Sequence, residues 1–270
     1  MIYIETKLCG TSARYEKDFG IMKILCIGNS FSYDANEYFY KLAKAGGADV
    51  EVLNLYIGGC SIERHAKNVK EHLKEYNPQY NGTFYPYEVC SIDEGLLFKD
   101  WDVVTVQQVS GLSGVYNSYY PYIETVLEKI KSVCPKAKIF MHETWAYEKD
   151  SVHPDFQIYE KNQSIMHDAL HEAYYKVADE MKLDGIIPTG DVIASLRQTD
   201  DFNVDKGGIS LARDGFHLGL TYGRYAAAAT WYQALGLGDI SSNPFIPDAG
   251  EVDLEKLELI KKHVKSVCNV

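Results

Sequence analysis

The strongest constraint on this chain is a rhythm. From Lys23 onward, short β-branched and apolar runs alternate with longer stretches of helical periodicity. Such punctuation predicts an α/β fold, because parallel strands can be joined only by crossovers long enough to hold a helix. The predicted strands are 23–28, 50–57, 102–107, 138–142 and 185–188, and their nearly continuous apolar character suits strands covered on both faces. Helical spacing falls at 36–44, 62–75, 119–133, 159–181 and 218–235, with a closing helix at 254–267. Five parallel strands with their crossovers make a three-layer α/β/α sandwich.

Two segments, 77–99 and 198–216, exceed ordinary connection lengths, and long loops in a compact domain tend to carry function. Without repeats, low-complexity tracts or a Pro/Ser linker, residues 22–270 read as a single domain and 1–21 as an N-terminal extension. A chain of 270 residues buries about three quarters of its unfolded surface and needs no disulfide or structural metal for its core. The six cysteines are scattered, with no C-x-x-C pair, which excludes zinc-ribbon and thioredoxin-like readings and fits a reducing compartment. No signal-like N-terminus and no spanning apolar run is found, so a cytoplasmic location is expected.

Net charge is −11, which argues against nucleic acid as a partner and favours neutral over anionic substrates, unless Arg64 or Arg213 offsets it locally. Tyrosine is over-represented at 21 residues. Clusters at Tyr119-Tyr120-Tyr122 and Tyr174-Tyr175 read first as half-buried helix residues, and second as the lining of a sugar or ester cleft.

The first strand ends in Gly28-Asn29-Ser30-Phe31-Ser32 just before a helix. Ligands of a parallel sheet bind at the carboxyl ends of its strands, so Ser30 is expected at the rim of a cleft beside a helix N-terminus that stabilises negative charge. Read alone, Asn29, Ser30 and Ser32 could equally be helix caps. A nucleophilic serine needs a base and an orienting acid, and Asp214-Gly215-Phe216-His217 supplies both at a spacing that lets Asp214 reach His217 Nδ1.

These strings form an ordered set with the Gly58-Gly59 turn after the second strand. The set resembles the SGNH, or GDSL-like, hydrolases over residues 23–235. The strings IGNSFS, GGCSIERH, QQVSGLSG and RDGFHLG are similar to a bacterial branch described only as a domain of unknown function. The resemblance implies a flavodoxin-like fold and esterase-type chemistry. By it Ser30 takes the nucleophile position, His217 the general base and Asp214 the orienting acid, while the Ser30 and Gly59 N–H groups hold the oxyanion.

Two departures from the family pattern stand out. Asn29 replaces the usual aspartate, and no G-x-N-D string lies in 104–120 to supply the third oxyanion donor. Gln108 could supply it with a longer reach, with Ser110 and Asn117 as weaker substitutes, or Gln107 and Gln108 simply end a strand. The choice matters, since loss of one donor typically costs about 10²–10³ in kcat.

Asn29 and Trp145 are candidate substrate contacts, and His142 is a lesser candidate base. His167 and His171 stand at i and i+4, but without a third ligand or the expected Glu they read as a solvated helix face. No metal or organic cofactor is expected. The sequence thus predicts a serine esterase or deacetylase of small acyl esters, with an acetylated carbohydrate as one substrate class. A non-catalytic carbohydrate-binding protein with a degraded oxyanion hole is the alternative.

Overall fold

A computed structural model describes residues 20–85 and 88–268. The expected N-terminal extension therefore lies outside the described residues except for Gly20 and Ile21. The strands are β1 (Met22–Gly28), β2 (Val50–Tyr56), β3 (Asn77–Tyr80), β4 (Thr83–Phe84), β5 (Val103–Val106), β6 (Lys138–His142) and β7 (Gly185–Ile187). The helices are α1 (Ser30–Ala45), α2 (Ile62–Glu71), α3 (Ile92–Leu97), α4 (Tyr122–Val133), α5 (Gln163–Glu180), α6 (Thr189–Leu196), α7 (Tyr222–Ala234) and α8 (Leu254–Cys268).

One sheet runs in the order β4-β3-β2-β1-β5-β6-β7. Its five parallel strands are those expected, and in chain order they lie 2-1-3-4-5, the flavodoxin-like arrangement. Among the described residues the sheet has seven strands rather than five, because an antiparallel β3–β4 hairpin within 77–84 adds to the β2 edge, and α3 follows at Ile92–Leu97. Asn81 and Gly82 make that hairpin turn with φ of 49° and 82°, a backbone that Asn and Gly tolerate best. Pro78 in β3 lacks the N–H that a central strand would need, which hid the strand from pattern reading.

The right-handed crossover rule for parallel strands puts α1 on one face and α2, α4 and α5 on the other, and α2 packs against α4. The α7 helix joins α1, and every residue from Tyr222 to Tyr232 is buried. Its Ala226–Ala229 run lets neighbouring backbones approach closely. Among the described residues, Cys26, Cys60, Cys90, Cys134 and Cys268 are free thiols. None of the described helices is long and apolar enough to cross a membrane.

Candidate active site

The strand order reverses between β1 and β5, which is where a doubly wound sheet opens a crevice at its carboxyl end. A cleft of about 380 Å³ opens there, lined by Asn29, Ser30, Tyr33, Tyr56, Gly58, Gly59, Val109, Ser110, His153, Arg213, Phe216 and His217.

Ser30 is placed by a one-residue junction. Gly28 ends β1 and a Cβ on it would lie 2.5 Å from Ser32 Oγ, so only glycine allows α1 to begin this close to the strand. Asn29 then caps α1, its Oδ1 accepting the Phe31 N–H at 3.0 Å. Ser30 becomes the first helical residue, half-buried between the buried Asn29 and Phe31. Its own N–H has no acceptor within the helix, and the 16-residue helix behind it adds a positive N-terminal field.

His217 sits at the tip of a short antiparallel pairing of Ala212 with Leu218, closed by Arg213 N–H donating to His217 O at 2.9 Å. Gly215 bends the tip at φ 85°, where a Cβ would also press 2.9 Å from Ser151 Cα. Asp214 accepts from the backbone N–H groups of Phe216 and His217, and its Oδ2 lies 2.8 Å from His217 Nδ1. Burial works to raise the Asp214 carboxyl, but hydrogen bonds from the His217 ring and from the two backbone N–H groups outweigh it and hold it below the usual aspartate value. With Nδ1 committed to Asp214, Nε2 is the ring nitrogen left for a second partner.

A buried ion cluster ties the two halves together. Asp34, one turn after Ser30 on α1 and wholly buried, accepts from Arg213 Nη1, from Arg224 Nε and from the Leu218 N–H at 2.9 Å each. The helix that carries Ser30 is thereby clamped to the loop that carries His217.

A family model, a domain of unknown function (DUF4886), matches residues 23–263. The chain belongs to the DUF4886 family. A crystal structure of a DUF4886 family protein from Bacteroides uniformis ATCC 8492 is 33% identical, with a TM-score of 0.85 over 92% of this chain and 95% of that one. A candidate GDSL-like lipase from Parabacteroides merdae ATCC 43184 matches with a TM-score of 0.53 at 14% identity, over 80% of this chain and 96% of that one. An α/β hydrolase from the metagenome of Lake Arreo, Spain, matches with a TM-score of 0.50 at 13% identity, over 80% and 95%. None of the curated proteins matches the sequence. The DUF4886 chain thus has the SGNH, GDSL-like three-layer fold.

Of the residues that the sequence singles out in this DUF4886 protein, Ser30, Gly59 and His217 line the cleft, and Asp214 holds His217. Gly59 is the second central residue of a turn from Ile57 to Cys60, with φ 62°, a conformation that favours glycine.

Gln108 is not an oxyanion donor in this structure. Its Nε2 donates to Ser118 O and Oγ, and its Oε1 accepts the N–H groups of Ile62 and Val109, so the whole amide is spent fastening the loop after β5. Asn117 is likewise absent from the cleft lining, and Ser110 Oγ pairs with Tyr147 OH at 2.8 Å.

Asn29 also lines the cleft, with its side-chain amide engaged by the protein. Its Oδ1 accepts from Phe31 N–H and Gln107 Nε2, and its Nδ2 donates to Cys60 O. Trp145 is also corrected: it is wholly buried, stacks on Phe31 at 4.2 Å and donates Nε1 to Phe216 O at 2.8 Å. It thereby braces the residue after Ser30 and the residue before His217. His142 is buried beside Gln107, and burial pushes its imidazole down to about 3, so it stays neutral. Tyr119 and Tyr174 pack in the core, and Tyr33 and Tyr56 line the cleft instead, with Phe84 of β4 stacked at 5.3 Å from Tyr33.

His153 is a cleft residue that sequence reading missed. It accepts the Asp155 N–H on Nδ1 at 3.3 Å. The only local signal is the Pro154 that follows it and starts a short 3₁₀ turn.

Proposed function

We propose that this protein is a serine esterase acting on small neutral acyl esters, with O-acetylated carbohydrates as the best-suited class. The observation that carries the reading is the Asp214–His217 hydrogen bond at the mouth of a cleft that Ser30 also lines, beside the start of α1. In this mechanism Ser30 Oγ attacks the acyl carbonyl and His217 Nε2 takes the serine proton. Asp214 keeps the ring oriented and stabilises the imidazolium. The tetrahedral oxyanion is held by the N–H groups of Ser30 and Gly59, with the field of α1 behind them. His217 returns the proton to the leaving alcohol, and water, activated by the same ring, then cleaves the acyl-enzyme.

The aromatic wall of Tyr33, Tyr56 and Phe84 offers flat apolar faces and hydroxyls, which suits a sugar ring. Among the described residues Arg213 is the one Lys or Arg in the cleft lining, and it belongs to a cluster in which Arg213 and Arg224 are balanced by Asp34 and Glu37, which fits an uncharged substrate.

Ser30→Ala tests the reading: p-nitrophenyl acetate hydrolysis should fall to the uncatalysed level while the circular dichroism spectrum is kept. Undiminished turnover would overturn it. The commitment of the Gln107 and Gln108 amides supports a second reading, a carbohydrate-binding protein on the same fold. A fluorophosphonate probe separates the two, since only an activated Ser30 is labelled.

A further inference from the structure

Beyond the cleft, but at the same end of the sheet, the turns after β6 and β7 meet α5 around a second cluster. Glu143 directly follows β6 and is wholly buried. Its Oε2 accepts the Asp191 N–H at 2.9 Å, whereas its Oε1 is buried with no hydrogen-bond partner. This approach is built in by Gly190, because a Cβ there would lie 2.1 Å from Thr144 O and 3.0 Å from Glu143 Cδ. His171 Nδ1 stands 2.9 Å from Asp191 Oδ1 and 3.7 Å from Glu143 Oε1. One turn earlier on α5, His167 Nε2 is 3.6 Å from the same Asp191 oxygen.

An ion pair between His171 and Asp191 would account for those two side chains alone. It leaves the second oxygen of Glu143 buried without a hydrogen bond, His171 Nδ1 standing 3.7 Å away, an arrangement that costs about 1–3 kcal/mol or more unless another group meets it. The ligand atoms of Glu143, His171 and Asp191 lie within 4.8 Å of one another, close enough to converge on one ion with small side-chain adjustments. Imidazole and carboxylate together are the donor set of zinc-like divalent ions. Asp191 also has an outer partner of the kind that orients a metal ligand, since Tyr175 OH donates to its Oδ2 at 2.9 Å.

We propose that Glu143, His171 and Asp191, with His167 as a fourth ligand, form a binding site for one divalent transition-metal ion of the zinc class. None of the four lines the Ser30 cleft, so the site is independent of the esterase reading. The ion would staple α5 and α6 to the end of β6, two residues before Trp145, and needs no part in ester chemistry. The i, i+4 histidines lacked a third ligand only in the linear chain: the fold brings Asp191 and Glu143 to them from 20 and 28 residues away.

The test uses the full chain, stripped with chelator and titrated with Co²⁺ under visible spectroscopy, with Zn²⁺ binding read by equilibrium dialysis. We expect one equivalent of each metal, a cobalt ligand-field band without thiolate charge transfer, and a raised melting temperature with Zn²⁺. His171→Asn and Asp191→Asn, both checked for folding by circular dichroism, should each weaken binding at least about 10-fold, by analogy with the loss seen for outer-shell partners. Wild-type binding no stronger than in these variants would overturn the proposal. So would a thiolate-to-cobalt band that persists in them, since it would put the metal on the free cysteines.

Discussion

Asn29 fixes the position of Ser30 at the cleft wall. Both ends of its amide are used by the protein, so it sets the geometry of the β1–α1 junction and leaves Ser30 half-buried in the cleft lining. Gln108 does the same for the loop after β5, and this makes a sharp distinction testable. Gln108→Ala strands the buried Ile62 N–H and the part-buried Val109 N–H, so stability should fall by about 1–3 kcal/mol in urea unfolding. Its kcat per folded molecule should change by less than about 10-fold, whereas a true oxyanion donor would cost about 10²–10³. The string QQVSG suggests an amide near the cleft, yet says nothing of where that amide points. Ser118, on the far side of a loop, decides that.

Among the elements, four neighbouring strand ends are joined by one directed chain of hydrogen bonds. His142 Nδ1, at the end of β6, donates to Gln107 Oε1; Gln107 Nε2 donates to Asn29 Oδ1; Asn29 Nδ2 donates to Cys60 O beyond β2. Burial pushes His142 down to about 3, and burial with the nearby Arg64 charge does the same for His65. A denatured chain protonates its histidines near pH 6.5. Between that pH and about 3, the denatured state therefore holds protons that the folded state refuses, so stability rises with pH and is lost as pH falls through this window. Each such histidine contributes a slope of about 1.4 kcal/mol per pH unit. His142→Gln should make the dependence shallower by about that amount, read from urea midpoints between about pH 4 and 6.5. An unchanged slope would mean that His142 takes up its proton in the folded state.

For the molecule as a whole, the 2-1-3-4-5 order of the parallel strands sets where a site can be, because the crevice opens where the order reverses. Net charge then acts on what reaches it. With −11 overall and Arg213 already paired, an anionic ester should show a lower kcat/KM than a neutral ester of the same acyl length. Added salt should narrow the gap, since screening weakens long-range repulsion. A gap insensitive to ionic strength would trace the preference to contacts within the cleft.

Much of this molecule was legible along the chain because its information is local. The five parallel strands follow from apolar runs, the β1–α1 turn from Gly28-Asn29-Ser30, and the Asp214–His217 pair from a spacing of three residues. The antiparallel edge escaped notice because Pro78 and the short β4 carry no alternating pattern. What only the tertiary structure decided are meetings between distant residues: Asp34 with Arg213 and Arg224, Trp145 between Phe31 and Phe216, Glu143 with His171 and Asp191. Periodicity reports which face of an element is buried. It does not report which atom lies opposite, and hydrogen bonds and ion pairs depend on that to within a few tenths of an ångström.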